Sequence, residues 1–131
     1  VVRNFEINFK ELFKMTDEVS RMSDLASRKC VPCHGGVPRL EGAEIEQFMS
    51  ELQDWEVVGE HHLRKAYAFP NFRQALALVN RIGELAEAEG HHPDISFGWG
   101  RVEVTVYTHA IDGLSESDFI LAAKIDAIGK G

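Results

Sequence analysis

The sequence predicts an α+β fold: a four-stranded antiparallel sheet with three helices on one face, in the order α-β-β-α-β-β-α, preceded by an N-terminal extension. From Leu40 onward three windows carry apolar residues at helical spacing, and two pairs of short strand-like segments lie between them. A glycine-containing turn joins the members of each pair. Strands that come in adjacent pairs fit hairpins of an antiparallel sheet, whereas a parallel sheet needs a long crossover between successive strands.

In chain order, Phe5, Phe9, Leu12, Phe13 and Val19 fall near helical spacing, so a short amphipathic helix is expected at the start. Met22-Ser23 offers an internal start, which makes residues 1–21 an upstream extension in this reading. Cys30-Val31-Pro32-Cys33-His34-Gly35-Gly36 reads as a turn-rich connector, and we divide the chain into an extension and connector over residues 1–38 and a domain over residues 39–131. In the domain, Ile45, Phe48, Met49 and Leu52 make a helical stripe that ends before Trp55. Trp55 to Val58 is a strand and Gly59-Glu60 a turn. Leu63, Tyr67 and Phe69 then share one face of a second strand, which Pro70 ends. Asn71 caps the next helix, with Gln74 at capping-box spacing. Phe72, Leu76, Val79, Ile82 and Leu85 carry that helix to Glu89, and Gly90 stops it. Ile95 to Trp99 and Val102 to His109 form a hairpin around Gly100-Arg101. Ser115 and Asp118 make a capping box for a last helix whose apolar side includes Leu121, Ile125 and Ile128.

Composition narrows the function. Of 131 residues, 44% are hydrophobic and 27% charged, ordinary globular usage that argues against disorder. Fourteen basic against 21 acidic residues give a net charge of −7, which disfavours direct nucleic-acid binding because phosphates must be met by clustered Lys and Arg. No apolar run approaches the roughly 20 residues of a membrane span. Glu6, Lys10 and Glu11 interrupt the apolar positions near the start, unlike a charged-then-apolar leader. Two cysteines cannot form a disulfide framework. A soluble cytoplasmic protein with no membrane partner is the expectation.

Six histidines are the chemical feature to explain. His91-His92-Pro93 follows the helix stop at Gly90, and His109 ends the last strand on the face opposite Val102, Val104 and Val106. These three imidazoles either converge on one pocket or are scattered, solvated or capping residues. Convergence would suit proton traffic, because an imidazole pKa of about 6.5 lets one ring accept a proton while another donates. There is no G-x-S-x-G elbow and no Gly-rich phosphate cradle, so acid–base chemistry without a covalent intermediate is the economical expectation. His61-His62 reads as exposed edge chemistry with no role. Asp118 is explained by its cap, and Glu87, one turn before His91, either polarises an imidazole or is solvated. Cys30-x-x-Cys33-His34 has the string of a haem attachment, but offers at most three local zinc ligands and lacks the strand-to-helix context of a redox dithiol. We expect an inert connector with no metal: neither stoichiometric haem nor zinc.

Glu87-x-x-x-His91-His92-Pro93, then Trp99, then His109 after nine intervening residues, then Asp118, resembles the signature of the pterin-4a-carbinolamine dehydratases. The similarity runs from about Leu40 to the C-terminus and takes in Asn71-Phe72, Ala75, Thr108-His109 and Gly113-Leu114-Ser115; the connector also resembles that of bacterial-type members. The resemblance implies dehydration of 4a-hydroxytetrahydropterin to the quinonoid dihydropterin by a 4a-hydroxytetrahydrobiopterin dehydratase, a hydro-lyase that needs no metal or redox cofactor. It implies catalytic roles for His91, His92 and His109, and substrate contacts at Glu87, Gly90, Pro93, Tyr107, Thr108, Ala110 and Asp118. Two departures stand out: family members often carry an acidic or amide residue where Gly90 stands and an acidic one where Ala110 stands.

The alternative class is a dimeric binding or scaffold protein of the same fold, a transcriptional coactivator or an assembly factor. The resemblance implies a homodimer or homotetramer, and two sequence features point the same way. The strand from Val102 to Thr108 is β-branched, proline-free and unguarded if it lies at an edge, and Phe119, Ile120, Leu121, Ile125 and Ile128 give the last helix a wide apolar surface. The competing expectation is that the N-terminal segment folds back over them.

Overall fold

The computed structural model describes residues 24–30 and 37–129. Within them the chain forms α1 (Asp24–Ser27), α2 (Gly42–Met49), β1 (Glu56–Val58), β2 (His62–Ala68), α3 (Phe72–Glu89), β3 (Asp94–Gly98), β4 (Arg101–Val106), a 3-10 turn (His109–Ile111) and α4 (Glu116–Ile128). The helix expected over Phe5 to Val19, together with Cys33 and His34, lies outside the described residues.

Local chemistry accounts for the ends of α3 and α4. The Asn71 side chain accepts the Gln74 amide at 2.8 Å to open α3, and Gly90 closes it in the left-handed region at φ +65°. At α4 the Ser115 amide donates to the Asp118 carboxylate at 2.8 Å, the capping box read from the sequence.

The four strands form one antiparallel sheet in the order β1-β2-β4-β3. Leu63 pairs with Val106, Lys65 with Val104 and Tyr67 with Val102, so the two-residue period puts all six on one face. Helices cover that face and leave Leu63, Val102, Val104 and Val106 buried, each contributing about 1.5–3 kcal/mol. Phe48 of α2 stacks on Phe119 of α4 at 5.2 Å, and Ala75, Leu78 and Ile82 bring the inner face of α3 into the same core. On the other face Arg64 reaches Glu56 at 2.7 Å and Glu103 at 2.8 Å, tying three strands together. Its hydrogen bond holds the Glu103 carboxyl below the usual range.

Four expectations need correction. The β3–β4 turn is Trp99-Gly100 and not Gly100-Arg101: Gly98 pairs with Arg101, and Gly100 takes φ +75°. A side chain at Gly100 would also lie 2.8 Å from the Phe69 carbonyl oxygen. Strand β4 ends at Val106, so His109 opens a 3-10 turn. Strand β4 is interior, with β2 and β3 on its two sides, so the sheet edges are β1 and β3. Lastly, α4 is covered by its own chain. Leu25 of α1 is fully buried, α1 packs on α4, and Phe119 through Ala123 are all buried. Neither structural ground for subunit pairing survives.

One core feature has no hydropathy signal. Lys65 points to the helix side, where its ammonium bonds Asp126 at 2.7 Å and the Gln53 carbonyl at 2.8 Å and lies 5.0 Å from the centre of the Tyr67 ring. Asp126 also accepts the Trp55 indole N–H at 2.8 Å and the Gln53 amide at 3.0 Å, tying α4 to the start of β1. Breaking such a pair from one side leaves a buried charge without its counterion. Asp126→Ala should therefore cost about 3–5 kcal/mol in urea unfolding, and a loss below about 1 kcal/mol would refute this reading.

Candidate functional site

The exit of α3 and the exit of β4 come together at one end of the sheet. At the first, the left-handed Gly90 lets the His91 amide donate back to the Ala86 carbonyl at 3.2 Å, which turns the chain out of the helix. At the second, Thr108 pairs with Gly113: the Thr108 amide donates to the Gly113 carbonyl at 2.9 Å, pinching residues 109–112 into a tight turn. The Arg39 Nε clamps this turn through the Ile111 carbonyl at 2.8 Å and packs where a side chain on Gly113 would stand, 2.6 Å from its Cδ.

Gly90, His91 and His92 from the first exit, and Tyr107, Thr108, His109 and Ala110 from the second, line a cavity of about 340 Å³. That is within the size range of small-molecule sites. The three imidazoles singled out in the sequence thus share one cavity. Each leans on a different carboxylate. His91 Nε2 lies 2.6 Å from Asp118 Oδ1, His92 Nε2 lies 2.9 Å from Glu87 Oε2, and His109 Nε2 lies 4.0 Å from Asp94 Oδ2. His92 and His109 are 62% and 57% exposed, His91 only 13%.

Glu87, Pro93 and Asp118 are not part of the lining. Glu87 is exposed and holds His92. Asp118 is fully buried behind His91, and its second oxygen accepts Thr108 Oγ1 and the Ser115 amide, both at 2.8 Å. A carboxylate paired to Nε2 keeps a proton there, which leaves Nδ1 as the free nitrogen of a neutral His91 ring.

The His61-His62 pair is not simply solvated edge. His61 Nε2 bonds Asp112 at 2.7 Å and its ring lies 4.6 Å from that of Tyr107, which in turn lies 4.2 Å from that of His109. Sequence reasoning missed these contacts because they depend on register: continuing the Leu63–Val106 pairing past the ends of β2 and β4 brings 61 and 62 beside 107 and 108.

The sequence profile of the pterin 4 alpha carbinolamine dehydratase family matches residues 38–128. The chain belongs to that family. It is 63% identical over 107 residues to a protein of Rubrobacter xylanophilus named as a pterin-4-alpha-carbinolamine dehydratase, covering 82% of this chain and all of the relative. A protein of the same name from Alkaliphilus metalliredigens is 52% identical over 106 residues, covering 80% and 96%. Among solved structures, a transcriptional coactivator/pterin dehydratase from Brucella melitensis superposes with a TM-score of 0.65 at 30% identity, covering 70% of this chain and 98% of that one. A pterin dehydratase-like protein described as a RuBisCO assembly factor in the alpha-carboxysome superposes with a TM-score of 0.52 at 28% identity, covering 60% and 93%.

Two other features of this family member bear on its chemistry. A larger cavity of about 770 Å³, between α2 and β1, is lined by Ile45, Met49 and Val57 with Glu46 and Glu60 but contains no imidazole. Of the two, the smaller cavity is the one on which three imidazoles converge. Cys30 is half-buried, with its thiol 3.6 Å from the Ser117 carbonyl. Burial first, and then the Glu89 carboxylate, push its pKa up to about 12, which suppresses the thiolate that metal or redox chemistry needs. Among the described residues no cluster of three or more His, Cys, Asp or Glu is arranged to hold a metal ion. Nor is any described helix long and apolar enough to cross a membrane.

The double duty of Asp118 in this family member is testable. Ser115→Ala removes a cap side chain and should cost about 1 kcal/mol. Asp118→Asn turns an amide donor toward groups that donate to it and should cost about 1–3 kcal/mol, the larger loss of the two, in urea unfolding. Asp118→Asn should also shift the NMR resonances of the His91 ring, whereas Ser115→Ala should not. Equal unfolding losses with an undisturbed His91 would reduce Asp118 to a helix cap.

Proposed function

We propose that this chain dehydrates 4a-hydroxytetrahydropterin to the quinonoid dihydropterin and water, by histidine acid–base catalysis, in the recycling of tetrahydrobiopterin. The observation that carries this reading is the convergence of His91, His92 and His109 on one small-molecule-sized cavity. Family membership and the names of the relatives support it. The reaction removes a proton from N5 and hydroxide from C4a, and the N5–H electron pair becomes the C4a=N5 double bond. One imidazole takes the N5 proton and an imidazolium gives its proton to the departing oxygen, so water leaves and the atoms balance.

We assign His91 as the acid and His109 as the base. His91 has the negative Asp118 oxygen 2.6 Å away to balance an imidazolium, while His109 is the more open ring, able to pass its proton to water. His92 completes the catalytic set, and Gly90, Tyr107, Thr108 and Ala110 form the substrate-contacting set, with Glu87 and Asp118 acting through His92 and His91. The sequence expectations of a cytoplasmic setting and a homodimer or homotetramer belong to the same proposal, with residues 39–131 as the domain that carries the site. A scaffold role is the second reading, favoured by the coactivator and assembly-factor descriptions of the two solved structures.

The test is turnover by purified protein of 4a-hydroxytetrahydropterin formed during an aromatic amino-acid hydroxylase reaction, followed by quinonoid absorbance. Wild type should accelerate dehydration, and His109→Ala should lower the rate about 10²-fold or more while unfolding at the same urea concentration. A wild-type protein without dehydratase activity would favour the scaffold reading. A His109→Ala variant of undiminished rate would remove His109 from the chemistry.

A further inference from the structure

His61 is not part of the cavity wall, yet it touches the structure behind His109 from two sides. Its ring lies 4.6 Å from the Tyr107 ring at 40°, and the Tyr107 ring lies 4.2 Å from the His109 ring at 22°. Its Nε2 lies 2.7 Å from Asp112 Oδ1. Asp112 closes the turn that starts at His109: its amide donates to the His109 carbonyl at 3.2 Å, and its backbone sits at φ +49°, unusual for a residue with a side chain. So one face of His61 supports the aromatic plate against which His109 lies, and one nitrogen tethers the end of the turn that carries it.

We propose that His61 is a positioning residue for His109, acting through the Tyr107 ring and the Asp112 carboxylate. This inference rests on the acid–base reading of the cavity and deepens it. The Asp112 carboxylate keeps a proton on His61 Nε2, and in the neutral ring Nδ1 then accepts from His62 Nδ1 at 3.0 Å. A hydrogen-bonded string therefore runs from His62 through His61 to the turn of His109. The other charged groups facing Asp112 are Arg39, which clamps the same turn, and His109 itself. The His61 hydrogen bond is the leading reason that the Asp112 carboxyl lies below its usual range. Regular strand pairing stops at Val106, one residue before Tyr107, and of the His61 and His62 rings beside Tyr107 that of His61 is the nearer, at 4.6 Å against 6.5 Å for His62.

Three substitutions test this in the full chain: His61→Ala, His61→Phe and Asp112→Asn. Because His61 and Asp112 do not line the cavity, KM should stay within about twofold while kcat falls roughly tenfold in His61→Ala, the size of loss that misorientation of a reacting group produces. His61→Phe restores the ring contact without the hydrogen bond and should recover part of kcat; Asp112→Asn should lose part of it. The second readout is NMR without substrate. In His61→Ala the ring-proton resonance of His109 should move and broaden as Tyr107 loses its support, while that of His91, tied to Asp118, stays put. Wild-type kcat in His61→Ala and Asp112→Asn with an unshifted His109 resonance would overturn the proposal. So would a uniform loss that His61→Phe does not relieve and that tracks the urea midpoint. If wild type and His109→Ala turn over equally, the acid–base reading is what has failed, and the NMR comparison still decides whether His61 orients His109.

Discussion

A carboxylate with no access to water must have its charge met by donors, and around Asp118 those donors come from three separate parts of the chain. The Ser115 amide belongs to the start of α4, Thr108 Oγ1 to the loop after β4, and His91 Nε2 to the exit of α3. Leaving such a group unmet costs several kcal/mol, comparable to a large share of the stability of a domain this size. The three segments therefore cannot drift independently. The cavity exists because its two walls, Gly90 to His92 and Tyr107 to Ala110, are each one or two residues from a ligand of the same buried carboxylate.

The three histidines inherit unequal environments from this arrangement. His91 is nearly buried and bonded to a carboxylate that has no alternative partner in water. His92 and His109 lean on Glu87 and Asp94, which are themselves 81% and 66% exposed. Surface pairs of that kind are worth about 0–1 kcal/mol and constrain a ring weakly. His91 is accordingly the fixed point of the site and the other two are adjustable. That gives physical content to the need for extra support at His109, where the carboxylate of Asp94 is 4.0 Å away and exposed and the ring of Tyr107 is stacked on the imidazole.

What the sequence made legible was local. The caps of α3 and α4 depend on residues three apart, and the inward face of β4 depends on period two, so Asn71, Gly90, Ser115 and the valines could be read directly. The site histidines were legible because each sits at an element end marked by Gly90 or by the close of the valine run. What depended on distant pairing was not. Nothing near Val102 says that β4 lies between β2 and β3, and nothing near Phe119 says that α1 packs on its helix. Lys65 reads as an exposed strand lysine until Asp126, 61 residues away, is beside it. His61 failed for the same reason: its partners, Tyr107 and Asp112, are 46 and 51 positions along, joined to it only by the β2–β4 register.

The departures at Gly90 and Ala110 follow from the same geometry. Gly90 sits at φ +65°, where a residue with a Cβ is strained even though no atom lies within 4 Å of where that Cβ would stand. Its glycine answers a backbone demand at the helix exit and not a crowded site. Ala110 stands exposed in the 3-10 turn whose close is already held by Arg39, His61 and the Thr108–Gly113 pairing, so the turn needs nothing from the side chain at 110. With neither position supplying a carboxylate, the nearby negative charges are Asp118, Glu87, Asp94 and Asp112, and each is already engaged by a histidine. A planar ligand with polar edges would thus meet imidazoles, the Tyr107 ring and backbone in this cavity. On the acid–base reading proposed above, recognition and proton transfer would fall on the same few rings, and their orientation would be the property that the surrounding fold must protect.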